Sequence, residues 1–356
     1  MFIILAILAF GIIIAIHELG HYLAAKAFGV KVKEFAIGMG PKLFAKQGKE
    51  TLYSLRALPF GGFCDMEGEH EAGGEPDPRS FLNQKRWRRI IILAAGSVAN
   101  VILAFIIVLI LTAGAQGFIG TTVTDMYDRF PDQGPPAIMN GDRVVAVNDE
   151  RLFYYDDFHM FLTLYNDRPI TLTLERDGEL IFHERQPYII DGVEQFRYHL
   201  PPSAFNFIEN NVWETIRYSG YQMFSFARMI RVSISMMIGG TAGVGDMAGV
   251  VGIVDVMNTV GQEAETAGAG ILSIIYFAAF IAVNVGIINM LPIPAMDGGR
   301  ILFIFVTFVI EKVTRKTLDP KYEGYINTGA FVLLLGLMAF LFYNDIVRIV
   351  QRIIAN

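Results

Sequence analysis

The chain has 356 residues, of which 53% are hydrophobic and only 18% are charged. This composition is too apolar for a soluble domain and predicts a polytopic α-helical membrane protein in a lipid bilayer. The net charge of -6 argues against a nucleic-acid partner, and the single cysteine, Cys64, excludes an intramolecular disulfide and a cysteine-based metal site.

The first apolar stretch, Phe2–Phe28, is long enough to cross a hydrocarbon core, which needs about 20 helical residues. We expect a retained helix and not a cleaved signal peptide, because no positive charge precedes the apolar part. The stretch carries His17, Glu18 and His21 in the sequence HELGH. Two histidines four residues apart lie on one side of a helix and can share a tetrahedral zinc ion, and Glu18 can take a proton from water.

Ionisable side chains are expensive inside a membrane, at about 2.5–3.5 kcal/mol each on insertion scales. A bound metal would compensate for the cost of this trio. The alternative is a capped helix end whose histidines only reach interfacial water.

Residues 29–84 alternate polar and apolar side chains, which predicts membrane-associated β-hairpins. An exposed strand edge near the zinc could pair with a substrate backbone, so we expect it to unfold a substrate helix for cleavage. The alternative is a folded lid without substrate contact.

Charge predicts the orientation of the chain. Lys31–Arg89 contains 11 Lys and Arg residues, whereas Phe118–Leu200 contains 7 Arg, no Lys and 15 Asp and Glu residues. By the positive-inside rule, the first region is cytoplasmic, the second lies outside, and both termini face outward.

A second apolar stretch, Ile90–Ala115, precedes a region of short Val, Ile, Leu and Thr runs separated by turn signals. This region, residues 117–202, predicts a small β-rich domain. After it, Asn206–Ile238 has an apolar face interleaved with Arg and Tyr and predicts a helix on the outer interface. The glycine-rich stretch Thr241–Gly270 carries no assignable chemistry.

The third apolar stretch, Ile271–Leu291, runs into the sequence NMLPIPAMDGG. Two prolines there interrupt helical hydrogen bonding directly before Asp297, and broken backbone at membrane depth suits a metal site. A catalytic zinc ion needs a third protein ligand, which Asp297 would supply. The alternative is that Asp297 only caps the next helix.

The remaining run Ile301–Ile310 is too short to cross, and a fourth span is predicted at about Ile326–Tyr343. The predicted organisation is as follows: 1–28 first span, 29–84 hairpin region, 85–116 second span, 117–202 β-rich domain, 203–240 interfacial helix, 241–270 connector, 271–300 third span, 301–325 short helix and loop, and 326–356 fourth span and tail.

HELGH together with NMLPIPAMDGG resembles the site-2 protease family of intramembrane zinc metalloproteases, and most closely its bacterial RseP-like branch. The resemblance covers nearly the whole chain, through GMGPKL, LPFGGFCDM, GSVAN and YNDIVRI. The chain departs from the family pattern at Ser97 and Val250, where proline is common. Neither residue chelates a metal, so these departures concern loop geometry.

The resemblance implies that His17, His21 and Asp297 bind Zn²⁺, that Glu18 is the catalytic base, and that Asn289 assists substrate or oxyanion binding. It implies a bacterial cytoplasmic (inner) membrane protein whose active site lies toward the cytoplasm. The implied substrates are transmembrane segments of single-span proteins, such as anti-sigma factors or signal-peptide remnants.

The resemblance also implies one extracytoplasmic PDZ-like domain, which NGDRVVAVN within Pro135–Asn148 supports. This domain would bind a peptide C-terminus or substrate, or would act as a size filter.

Three alternatives remain at this point. A prenyl-protein processing enzyme would take its third ligand from a glutamate on a later helix, and the later spans offer none that is well placed. A non-catalytic scaffold would leave the buried ionisable residues unexplained, and a transporter would be expected to show an internal repeat.

Overall fold

The computed structural model describes residues 1–69, 77–125, 138–165, 169–184, 188–190, 193–195, 200–240, 243, 247–315 and 321–355. The chain forms two compact units. Unit 1 comprises Met1–Leu111 and Phe226–Asn356, and unit 2 comprises Thr112–Ser225.

The α-helices within the described residues are α1 Phe2–Ala27, α2 Arg86–Ala113, α3 Tyr155–Leu164, α4 Val212–Ile238, α5 Val250–Gln262, α6 Ala267–Met290, α7 Asp297–Thr314 and α8 Lys321–Ala355. Four of them contain stretches long and apolar enough to cross a membrane: Phe2–Ala27, Arg86–Ala113, Ala267–Met290 and Gly324–Gln351. The prediction of four apolar spans is therefore confirmed. Helix α7 is longer than the predicted run Ile301–Ile310 but does not belong to this set.

Small residues bring helices α1, α2 and α6 close together. A Cβ atom at Gly20 of α1 would lie 2.3 Å from the Ala95 carbonyl oxygen, and one at Gly286 of α6 would lie 3.0 Å from the Ser97 carbonyl oxygen. Close approach through small residues is a common way for helices to associate in lipid, where the hydrophobic effect gives little driving force. The middle of α2 is thus held between α1 and α6.

The predicted hairpin region contains two long antiparallel strands, β1 Val32–Gln47 and β2 Leu52–Met66. Each strand bends near its middle. The β1 residue Glu34 therefore pairs with two residues of β2, Asp65 and Leu52. The bend in β1 occurs at Gly38 and Gly40, which have φ angles of +84° and +82°.

Unit 2 contains a six-stranded sheet with the order β10-β3-β4-β6-β7 and the short strand β5 paired with β4. Its strands are β3 Gly117–Val123, β4 Arg143–Val147, β5 Glu150–Arg151, β6 Thr171–Arg176, β7 Glu179–Glu184 and β10 Phe205–Glu209. A separate pair joins β8 Tyr188–Ile190 and β9 Val193–Gln195. The part of the predicted loop and strand Pro135–Asn148 before residue 138 lies outside the described residues.

The predicted interfacial helix begins later than expected. Residues 205–209 form strand β10, and α4 starts at Val212. Strand β10 pairs with β3, where Asn206 Oδ1 accepts a hydrogen bond of 3.0 Å from the Thr122 N–H. Pairing with β3 satisfies the backbone N–H and C=O groups of β10. These residues therefore form a strand, although their local sequence pattern predicts a helix.

The predicted glycine-rich connector contains a helix, α5. Asp345 of α8 is buried, and its carboxylate accepts hydrogen bonds of 3.2 Å and 2.8 Å from the N–H groups of Gly249 and Gly252. Such acceptors stabilise a helix start, which explains why α5 forms in a glycine-rich sequence. Residues 241, 242 and 244–246 of the connector, and residues 316–320 of the predicted loop after α7, lie outside the described residues.

Candidate metal centre

His17 and His21 lie one turn apart on α1, and both are buried. Their Nε2 atoms are 3.1 Å apart, and their rings meet nearly at right angles. Two imidazole nitrogens therefore point to the same place, as the four-residue spacing predicted.

Asp297 joins the two imidazoles from the first residue of α7. Its Oδ2 atom lies 3.2 Å from His17 Nε2 and 3.3 Å from His21 Nε2. Helix α6 ends at Met290, and the stretch with the two prolines separates it from α7. Asp297 does begin the next helix, but its side chain is directed toward the histidines and forms no N-cap.

The three donor atoms fit a zinc ion. A tetrahedral site with metal–ligand bonds of about 2.0–2.1 Å has edges of about 3.3–3.4 Å, close to the three observed separations. Within the described residues, His17, His21 and Asp297 are the group whose ligand atoms cluster in this way. Two nitrogens and one carboxylate oxygen are ligands that zinc accepts.

Helix α2 shapes the space around the imidazoles. A Cβ atom at Gly96 would lie 2.4 Å from His21 Nε2 and 2.8 Å from His17 Cε1. Only glycine leaves room for both rings at this position. Four residues earlier, the Ile92 carbonyl accepts a hydrogen bond of 2.8 Å from His21 Nδ1, which leaves Nε2 as the nitrogen with a free lone pair.

Asn100 also lies at the site, although its sequence context predicts no role for it. It is fully buried on α2, and its Nδ2 atom lies 3.5 Å from His17 Nδ1, while Oδ1 has no partner among the described residues. The oxygen and nitrogen of an asparagine amide exchange places on a flip. In the flipped orientation Oδ1 accepts the Nδ1 proton of His17 and frees Nε2 for a metal.

Glu18 lines a cavity of about 650 Å³ together with the three candidate ligands. Strand β2 forms another wall through Phe63–Met66. A Cβ atom at Gly62 would lie 3.1 Å from Glu18 Cγ, so the backbone of β2 passes directly beside the glutamate. The cavity is therefore lined by Glu18, which can accept a proton, by the three candidate metal ligands and by strand β2.

Asn289, near the end of α6, also reaches the ligands, because its Nδ2 atom lies 3.3 Å from His17 Nε2. All five residues predicted from the sequence are thus close together: His17, Glu18, His21, Asn289 and Asp297.

One cation near the cavity is already paired. The Arg300 guanidinium, one turn after Asp297, donates to the largely buried carboxylate of Glu69. Arg300 therefore leaves the Asp297 carboxylate to the two imidazoles.

Within the sequence NGDRVVAVN of unit 2, the aspartate, Asp142, has a structural role. Arg176 donates to both carboxylate oxygens of the buried Asp142 at 2.6 Å and 2.8 Å, and the Met139 N–H donates at 2.7 Å. Burial raises the pKa of the Asp142 carboxyl, but these hydrogen bonds outweigh it and hold the pKa below its ordinary value. This ion pair joins β6 to the turn before β4.

Comparisons with known proteins agree with this geometry. The model of peptidase family M50 matches residues 5–337. A protein of Clostridium acetobutylicum described as a candidate zinc metalloprotease is 36% identical over 345 residues, covering 97% of each chain. A similar protein of Clostridium perfringens is 35% identical over 348 residues, covering 98% of this chain and 99% of the relative. The regulator of sigma-W protease of Bacillus subtilis is 26% identical over 430 aligned positions, covering 96% and 97%.

These matches and the four apolar helices define a multi-pass membrane zinc metalloprotease. The chain belongs to peptidase family M50, the site-2 protease family that its two motifs resemble. The scaffold, transporter and prenyl-protein processing alternatives are therefore excluded.

Proposed function

We propose that this protease hydrolyses peptide bonds within the transmembrane segments of single-span membrane proteins. His17, His21 and Asp297 would hold the zinc ion, Glu18 would act as the base, and Asn289 would bind the substrate carbonyl. The observation that carries the proposal is the convergence of three donor atoms, 3.1–3.3 Å apart, beside Glu18 on a membrane-spanning helix.

A zinc ion held by His17, His21 and Asp297 would supply Lewis acidity, which would lower the pKa of a bound water from 15.7 to about 7 and polarise the scissile carbonyl. Glu18 accepts a proton from the attacking water and passes it to the leaving nitrogen, so water and the amide become an acid and an amine. The Asn289 Nδ2–H donates a hydrogen bond to the oxyanion that develops on the carbonyl. Asn100 and the Ile92 carbonyl keep the two imidazoles oriented.

Strand β2 gives the substrate a place to extend. The segment Gly62–Met66 pairs with β1 on one side and lines the cavity with Phe63–Met66. A substrate segment that joins this edge as an additional strand would present its peptide bonds in an unfolded conformation. Helical peptide bonds are shielded by their own hydrogen bonds, so this pairing would precede cleavage.

The proposal extends to the substrates and to the membrane topology. One relative is named regulator of sigma-W protease, which supports anti-sigma factors as a substrate class, beside signal-peptide remnants. The protein would lie in a bacterial cytoplasmic membrane with the basic loop Lys31–Arg89 inside. Unit 2, as a PDZ-like domain outside, would bind a peptide C-terminus or filter substrates by size.

The direct test compares the wild type with Glu18→Gln, both purified in detergent. Both should contain about one zinc ion per chain, and the variant should cleave a truncated single-span substrate at least about 100-fold more slowly, the lower bound for losing a general base. Glu265→Gln, a change at an exposed glutamate, is the control and should keep full activity. A zinc-free wild type or a fully active Glu18→Gln would contradict the proposal.

A further inference from the structure

The loop that carries Asp297 to the histidines contains a strained corner. Ala295, two residues before Asp297, has a φ angle of +71°. L-amino acids other than Asn, Asp and Gly rarely adopt this left-handed conformation, because the Cβ atom crowds the backbone. Such corners persist only where surrounding contacts hold them.

The inner side of this corner rests on two glycines of α7. A Cβ atom at Gly298 would lie 2.3 Å from the Met290 carbonyl oxygen, and one at Gly299 would lie 2.2 Å from the Ile293 carbonyl oxygen. The loop therefore folds tightly onto the first turn of α7. A shift of the corner would move Asp297 with it.

The outer side of the corner is held by α8. Asn327 Oδ1 accepts a hydrogen bond of 3.2 Å from the Ala295 N–H. Phe331, one helical turn further along α8, lines the cavity together with Ala295 and Asp297. One face of the last helix thus contacts both the loop and the cavity, although it supplies none of the candidate ligands.

We propose that Asn327 is a positioning residue that holds the left-handed corner at Ala295 and so directs the Asp297 carboxylate toward His17 and His21. The inference rests on the proposed role of Asp297 as a zinc ligand. Without the Asn327 acceptor, the Ala295 N–H loses its partner and the corner relaxes toward an ordinary backbone conformation. The carboxylate then leaves the imidazoles, and zinc binds more weakly.

The experiment measures zinc affinity by competition with a chelator in detergent for the full chain. Asn327→Ala should weaken zinc binding by about 10- to 100-fold, the range for residues that orient a metal ligand. Adding Ala295→Gly to that variant should restore affinity to within about threefold of the wild type, because glycine adopts a positive φ without strain. Thr328→Ala, on the exposed neighbouring position of α8, is the matched control and should bind zinc normally.

The absorption spectrum of the cobalt-substituted protein gives a second readout, because its ligand-field bands report the geometry at the metal. These bands should change in Asn327→Ala and return in the double variant. Wild-type affinity in Asn327→Ala would overturn the inference. A loss that Ala295→Gly does not restore would also overturn it, since it would indicate general destabilisation. Asp297→Ala separates the two proposals: if that variant keeps zinc, the proposed ligand set itself fails.

Discussion

At the scale of single residues, the candidate metal centre combines a local motif on α1 with side chains from distant positions of the chain. HELGH places two imidazoles on one side of a helix whatever the rest of the chain does. The structure adds the residues that come from distant positions. Gly96 and Asn100 lie on α2, 79 and 83 positions after His17. They belong to the motif GSVAN, but that motif alone does not indicate that they contact the imidazole rings.

Gly96 gives the clearest prediction at this scale. Gly96→Ala would push a methyl group into the space of both imidazoles, so we expect zinc to be lost while the helices still form. Metal analysis and circular dichroism of the purified variant check this directly. Gly336→Ala, at a glycine of α8 with open space around it, is the matched control. Full zinc occupancy in Gly96→Ala would show that the rings are not confined as the structure indicates.

At the scale of elements, four spans were predictable because about 20 apolar residues in a row leave few alternatives. The position of Asp297 at the start of a helix was also foreseeable, from the two prolines before it. The starts of α4 and α5 were not, since β10 pairs with β3 more than 80 residues away and Asp345 stabilises α5 from more than 90 residues away. Long-range hydrogen bonds decided both boundaries.

The bend in strand β1 allows a prediction at the scale of elements. Proline fixes φ near −65°, whereas Gly38 has a φ angle of +84°, and a Cβ atom there would lie 2.5 Å from the Leu58 carbonyl oxygen. Gly38→Pro should therefore disrupt the pairing of β1 with β2 and abolish hydrolysis, while zinc content stays intact. Lys46→Ala, at an exposed position of the same strand, should remain active. Unchanged turnover in Gly38→Pro would show that this sheet does not position the substrate.

At the scale of the whole molecule, charge asymmetry predicts which regions face the cytoplasm. The test uses single cysteines in a Cys64→Ala background, introduced by Asn83→Cys in the basic region and Glu179→Cys in unit 2. Both positions are exposed, whereas the native Cys64 thiol is buried, and burial raises its pKa.

A membrane-impermeant maleimide should label Glu179→Cys in spheroplasts and Asn83→Cys only after the membrane is opened. The reverse pattern would invert the proposed orientation. Both positions are exposed, so a difference in labelling reports the side of the membrane and not burial.

The most direct measurement of the whole account is zinc X-ray absorption on the purified protein. We expect two imidazole nitrogens and a carboxylate oxygen at about 2.0–2.2 Å, with no sulfur ligand near 2.3 Å, and we expect the zinc signal to disappear in Asp297→Ala. A sulfur ligand, or zinc bound unchanged in Asp297→Ala, would contradict a centre built from His17, His21 and Asp297.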